Sequence, residues 1–146
     1  MRNKNAKRQH FVAPFTGDSE PSMAEFLPLA KYITEITDGS EDTTDEFADY
    51  AGDGTVQTDI IGIQESWDIT GTFDATDAAQ ALVASMKREV GNGRKLWHLI
   101  IDSNGTQEVI GVATAINIIS GSGAAEEHEE FSCTLQFDQR PLVRAV

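Results

Sequence analysis

The side chains with the widest chemical range in this chain are three histidines, His10, His98 and His128, and one cysteine, Cys133. They lie in separate segments, and no two share the short spacing that puts ligands on one metal. A single cysteine excludes an intramolecular disulfide and a zinc site of cysteine type. Cys133 alternates with Phe131 and Leu135 and reads as a small core hydrophobe, because reactive thiols sit in electropositive surroundings. His98, next to Trp97 on an alternating segment, reads as a solvent or interface residue, since a catalytic imidazole needs a positioned partner. The acidic stretch closing on Gly52-Asp53-Gly54 lacks the regular acid spacing and the closing glutamate of a calcium loop. Gly91-Asn92-Gly93-Arg94 follows a predicted helix and reads as its stop signal, not as a phosphate loop. The residues therefore predict no catalytic site, no metal and no cofactor.

The elements that carry these residues alternate with period two over most of the chain. A strand is expected at 29–37, with Pro28 at its edge. A long strand is expected at 59–73, where Ile61, Ile63, Trp67, Ile69 and Phe73 point inward and Gln64, Ser66, Asp68 and Thr70 line a polar face. A helix is expected at 75–90, with Asp74 as N-cap and Ala78, Leu82 and Met86 on its apolar stripe. Strands follow at 95–102, 107–119 and 131–138, the first two joined by the hairpin signal Asn104-Gly105. Trp67, Trp97, Leu99, Ile116, Leu135 and Phe137 are the expected core. The pattern predicts one mainly β domain over 1–146, a β-sandwich or barrel with one flanking α-helix.

Charge is segregated. The chain of 146 residues carries 24 acidic and 11 basic residues, a net charge of -13. That balance argues against counterion-displacing DNA binding and against an anionic membrane surface. No apolar run approaches the roughly 20 residues of a membrane span, and the expectation is a soluble chain made in a reducing cytoplasm. The N-terminal arm, 1–9, holds Arg2, Lys4, Lys7 and Arg8 with no acid. Residues 38–58 are polar and acidic and read as one long loop, a kind of segment that is usually functional or disordered. Its Glu41, Asp42, Asp45, Glu46 and Asp49, with Phe47 and Tyr50 as apolar anchors, form either a solvated face or a docking surface for something basic.

The order of these features resembles the major tail tube proteins of long-tailed, non-contractile bacteriophages. The resemblance rests on the basic Arg2–Lys7 arm, on Ile33-Thr34-Glu35-Ile36-Thr37, and on the acidic loop closing at Tyr50-Ala51-Gly52-Asp53-Gly54-Thr55. It continues through Ile69-Thr70-Gly71-Thr72-Phe73-Asp74, Asp77-Ala78-Ala79-Gln80 and Gly91 to Arg94. It ends with Gly121-Ser122-Gly123-Ala124 and Phe131-Ser132-Cys133-Thr134-Leu135. Ser122 departs from the second consecutive glycine common in such proteins.

The resemblance implies a structural subunit of a virion tail, made in the cytoplasm of a host bacterium. Subunits would form hexameric rings that stack into a hollow tube around a tape-measure protein, capped by tail-end proteins. DNA would pass through the lumen without specific binding. On this view the arm of one ring, Arg2, Lys4, Lys7 and Arg8, docks on the acidic loop of the next, and Gln64, Ser66, Asp68 and Thr70 face the lumen. The other readings are a monomeric β-sandwich binding module, such as a virion decoration or adhesion domain, and a relative of the type VI secretion tube.

Overall fold

The structure is a computed structural model that describes residues 2–17, 19–48, 50–52 and 54–146. The described residues form the strands β1 Gln9–Pro14, β2 Leu27–Pro28, β3 Ile33–Asp38, β4 Glu41–Phe47, β5 Gln57–Gln64, β6 Ser66–Thr72, β7 Lys95–Ile101, β8 Gln107–Ser120, β9 Glu130–Phe137 and β10 Leu142–Ala145, and the helix α1 Ala78–Ser85 between β6 and β7. Eight strands form one antiparallel sheet in the order β2-β1-β7-β8-β9-β6-β3, with β10 added beside the start of β8. Strands β4 and β5 pair only with each other.

The sheet curls around the main core. Val12, Leu96, Ile100, Ala113, Ala115, Ile118, Phe131, Cys133, Leu135 and Phe137 meet inside it, together with Ala79 and Val83 of α1 and Met86 just after it. A second cluster, Ala13, Phe26, Trp97, Leu99 and Ile110, covers the opposite face of β1, β7 and β8. Strand β7 is thus buried on both faces. The core expectation holds for Trp97, Leu99, Leu135 and Phe137, whereas Trp67 and Ile116 are only half-buried.

The mainly β class with one flanking helix stands, but several elements differ from the expected ones. Residues 38–58 are not one loop: Glu41–Phe47 pairs with Gln57–Gln64 as a hairpin. Like charges along one strand are tolerated because their partners across the ladder are mostly neutral, Gln64, Ile63 and Thr58, with Asp45 opposite Asp59 the exception. The single strand expected at 59–73 is cut at Glu65, where the chain passes from the hairpin to the main sheet. Ile61 and Ile63 therefore stay exposed instead of packing beside Ile69. Strand β3 starts at Ile33, because Tyr32 takes a left-handed turn with φ of 62°. Strands β1 and β10 carry no expectation from the sequence.

The helix is shorter, Ala78–Ser85, and its cap is Asp77, whose carboxylate accepts the Gln80 N–H at 3.3 Å. Met86 is buried as expected, but the other buried apolar positions are Ala79 and Val83, each one residue beyond the expected Ala78 and Leu82; Ala78 is exposed and Leu82 half-buried. The β7–β8 connection is wider than a two-residue hairpin: only Gly105 takes positive φ, and the Asp102 carboxylate accepts the backbone N–H of Thr106 at 3.0 Å. On β8, Asn117 with φ of 53° breaks the alternation, so that Ile110 and Ile118 serve opposite clusters.

Candidate functional site

The outer face of β8, β9, β6 and β3 is a polar array set by ladder register. Thr114, Gln136 and Ser66 lie in one cross-strand row. Ile116, Thr134, Asp68 and Thr37 form the next, and Ser132, Thr70 and Glu35 a third. Alternation places these opposite the buried Phe131, Cys133, Leu135 and Ile69. The Thr134 hydroxyl donates to Asp68 at 2.7 Å. At one border, Lys95 pairs with Asp138, which also accepts the Thr114 hydroxyl. The array is hydroxyl-rich, with Asp68 and Glu35 as its acidic members. Of the expected polar-face residues, Ser66, Asp68 and Thr70 lie together on β6. Gln64 is on the hairpin opposite Glu41.

The hairpin is the second surface. Every residue of β4 is exposed, and so is every residue of β5 except Gly62, which is half-buried. It presents Glu41, Asp42, Asp45 and Glu46 beside Phe47, Ile60, Ile61 and Ile63, the isoleucines each more than half exposed. Tyr50 is fully exposed beyond the end of β4, and Asp49 lies outside the described residues. Large apolar side chains left in water among acids are the composition that interaction surfaces commonly show.

The N-terminal arm does not stand apart from its own subunit. The Asn3 amide donates to Ser103 at 3.3 Å and to Asn104 at 2.5 Å, on the β7–β8 turn. Arg2, Lys4 and Lys7 are exposed. Arg8 is occupied inside its own chain: its Nε donates to His10 Nε2 at 2.8 Å, one Nη donates to the Ile36 carbonyl at 3.3 Å, and its guanidinium lies 5.0 Å from the Trp67 ring centroid. No ion pair among the described residues joins the arm to the hairpin acids of the same chain.

His98 departs from expectation. It is fully buried, on the interior face of β7, with its ring stacked on Phe137 at 5.3 Å. Its Nε2 lies 3.2 Å from Nδ1 of the buried His10. Burial first, and the Arg8 charge second, lower the His10 pKa from 6.5 to about 4. Burial first, and His10 second, hold His98 well below its ordinary value. Cys133 is buried as expected, and burial, aided by Asp68, pushes its thiol up to about 12, far from a reactive thiolate.

Three residues to which the sequence reading assigned no fastening role, Gln80, Arg94 and Gly71, hold the surfaces in place. Gln80, fully buried on α1, donates to the carbonyls of Lys31 and Thr72, both at 3.1 Å, and accepts the Asp74 N–H at 2.8 Å. Arg94 donates to the carbonyls of Glu89, Lys87 and Ala115, tying the chain after α1 to β8. Gly71 permits the close crossing of β3 over β6, since a Cβ there would stand 2.2 Å from the Tyr32 carbonyl. A buried glutamine inside an otherwise apolar helix stripe is the one signal in the sequence that points to such a fastener.

No protein-family model and no curated protein sequence matches the chain. Solved structures do. A chain in the tail of an empty gene transfer agent particle, refined helically with C6 symmetry, superposes with a TM-score of 0.72 at 11% identity, over 99% of both chains. A chain from the virion of a native gene transfer agent particle gives 0.68 at 10% identity, again over 99% of both. A chain of the anti-feeding prophage cap, which terminates that tube, gives 0.58 at 15% identity, over 100% of this chain and 93% of the other. The chain therefore has, from end to end, the fold found in these tail and tube-cap structures.

Proposed function

We propose that this protein is the structural subunit of a tail tube, assembling as hexameric rings that stack into a hollow conduit for DNA, and that it catalyses no reaction. The observation that carries the reading is the end-to-end likeness to a chain that sits in a sixfold helical tail. Two features of the chain support it. The hydroxyl-rich face of β8, β9, β6 and β3, with Asp68 and Glu35 as its charges, suits a water-filled lumen that lets phosphate pass without holding it. The exposed hairpin, roughly 25 Å long at the rise of paired strands, suits a reach to a neighbouring subunit.

In the assembled tube, Ser66, Asp68 and Thr70 face the lumen. The acidic hairpin, with Phe47, Tyr50 and its isoleucines, meets the arm of the adjacent ring through Arg2, Lys4 and Lys7. Arg8 anchors that arm at its root rather than reaching across. A tape-measure protein inside the tube and tail-end proteins at its limits complete the partner set, in the tail of a virion built in a bacterial host.

Negative-stain microscopy and size-exclusion chromatography of concentrated full-length protein test this reading. Sixfold rings or tubes are expected. A persistent 15.9 kDa monomer at high concentration would favour the binding-module reading. Comparing the full chain with one lacking residues 2–9, across a salt series, tests the inter-ring contact: equal elongation at every salt concentration would remove it.

A further inference from the structure

The path β2-β1-β7-β8-β9-β6-β3 leaves β1 near one end of the curled sheet and β3 at the other. No ladder joins β1 to β3 or β6. What spans the gap is the side-chain group built on Arg8. Its guanidinium reaches the Ile36 carbonyl of β3 and lies over Trp67 of β6, while its Nε reaches His10 of β1. His10 also sets its ring edge against Trp67 at 5.2 Å, and His98 of β7 backs it from the other side.

The direction of the hydrogen bonds follows from Arg8. A guanidinium only donates, so His10 Nε2 must carry a lone pair. Neutral His10 then holds its proton on Nδ1 and donates it to His98 Nε2. His98 in turn holds its proton on Nδ1, which has no hydrogen-bond acceptor among the described residues. Every imidazole nitrogen able to take a proton is thus already accepting a hydrogen bond. A proton arriving at His10 turns its link to Arg8 into two opposed donors. A proton arriving at His98 does the same to its link with His10. The charged groups that face the pair are Arg8 from the arm and, beyond the Trp67 indole that donates to it at 3.0 Å, Glu65. The faces of β7 and β9 add the apolar Leu96, Ile100 and Phe137.

We propose that Arg8, His10 and His98 form a proton-operated clasp that closes the sheet between β1 and the β3–β6 edge, and that acid opens it, releasing the N-terminal arm and the root of the hairpin together. The two legs of the hairpin continue directly from β3 and β6, so the clasp sits where the arm and hairpin are jointly held. The sign follows from linkage. The histidines are neutral when folded and protonate more readily once exposed. The clasp is therefore complete above the ordinary histidine pKa of 6.5 and weakens as pH falls toward about 4.

Hydrogen exchange of the full-length chain between pH 8 and pH 4, corrected for intrinsic exchange, tests this. Segments 2–12, 33–40 and 66–70 are expected to lose protection together below pH 6.5, by up to roughly tenfold per pH unit per histidine. The β8–β9 amides of 113–116 and 132–136 should hold over the same range. Uniform protection of all these segments down to pH 4 overturns the clasp. His98→Phe keeps a ring against Phe137 but removes the second titrating group, and should roughly halve the pH slope of opening. An unchanged slope is also fatal. Should that variant not fold, ring-proton NMR of the natural chain decides. The His10 and His98 signals are expected to keep their neutral shifts until the segments open. Their titrating while the segments stay protected overturns the proposal.

Discussion

Strands β4 and β7 are both seven residues long, and they could hardly differ more. Strand β7 runs between two hydrophobic clusters, and Leu96 through Ile100 are all buried. Strand β4 is exposed at every position, carries four acids, and has one partner strand. Burial holds β7 in place whatever happens elsewhere. A two-stranded ribbon in water is marginal on its own. The hairpin therefore depends for rigidity on its root and on whatever covers its isoleucines. In this molecule, the buried core and the exposed acidic and apolar surface are kept in different strands.

That division can be broken or sharpened by substitution. The largest loss of folding stability is expected in the sheet. Leu135→Ala, at a fully buried position, should cost about 2–5 kcal/mol in chemical denaturation. A loss near zero would mean that the core is not where the sheet curls. Trp67→Ala should cost less than the 3–5 kcal/mol of a fully buried tryptophan, roughly 2 kcal/mol, because the ring is only half-buried under Arg8. Asp77→Ala removes the helix cap and should cost about 1 kcal/mol. Asp74→Ala is the control for the other candidate cap.

The smallest stability change is expected in the hairpin. Ile61→Ser and Ile63→Ser should each stay within about 0.5 kcal/mol of the natural chain. The same two changes should suppress elongation into tubes as seen by light scattering. If they destabilise the isolated chain as much as Leu135→Ala, the hairpin belongs to the fold and the division fails.

The contrast also explains what the sequence made legible. Strand β9 was readable because Phe131, Cys133, Leu135 and Phe137 alternate against water on one side only. Alternation hid the second burial of β7: Trp97 and Leu99 mark one face, but His98 on the other passes for a polar residue. The hairpin is hidden in the sequence because four of the seven residues of its first strand are acids, which have weak strand preference, and because Trp67 and Ile69 resume the period of two in phase after Glu65, an odd acid at an inward position where the chain changes sheets. Ser66, Asp68 and Thr70 share one face of β6 as the alternation expects, whereas Gln64 lies on the hairpin, beyond the break at Glu65. Nothing in the sequence sets Arg8 apart from the other basic residues of the arm; its contacts with His10, Ile36 and Trp67 do. Tail-tube resemblance rested in part on Asp77 to Gln80, Gly71 and Gly91 to Arg94. These are the helix cap, the buried amide, the close crossing and the guanidinium that bind α1 and β3 to the sheet.

Both legs at the root of the hairpin are tied to the main sheet, each to a different strand. At Glu65 the backbone carbonyl accepts the Phe137 N–H at 2.9 Å and the side chain accepts the Trp67 indole, so that leg is bolted to β9 and β6. On the other side, the chain passes through Gly39 and Ser40, where the Gly39 N–H donates to the Ser66 carbonyl at 2.9 Å and the Ser66 N–H donates to the Ser40 hydroxyl at 3.3 Å. A ribbon tied at both legs to neighbouring strands resists being pulled along its length, because tension there loads the β3–β6 and β6–β9 ladders in shear. A column of subunits linked through such ribbons would keep its contour length under tension.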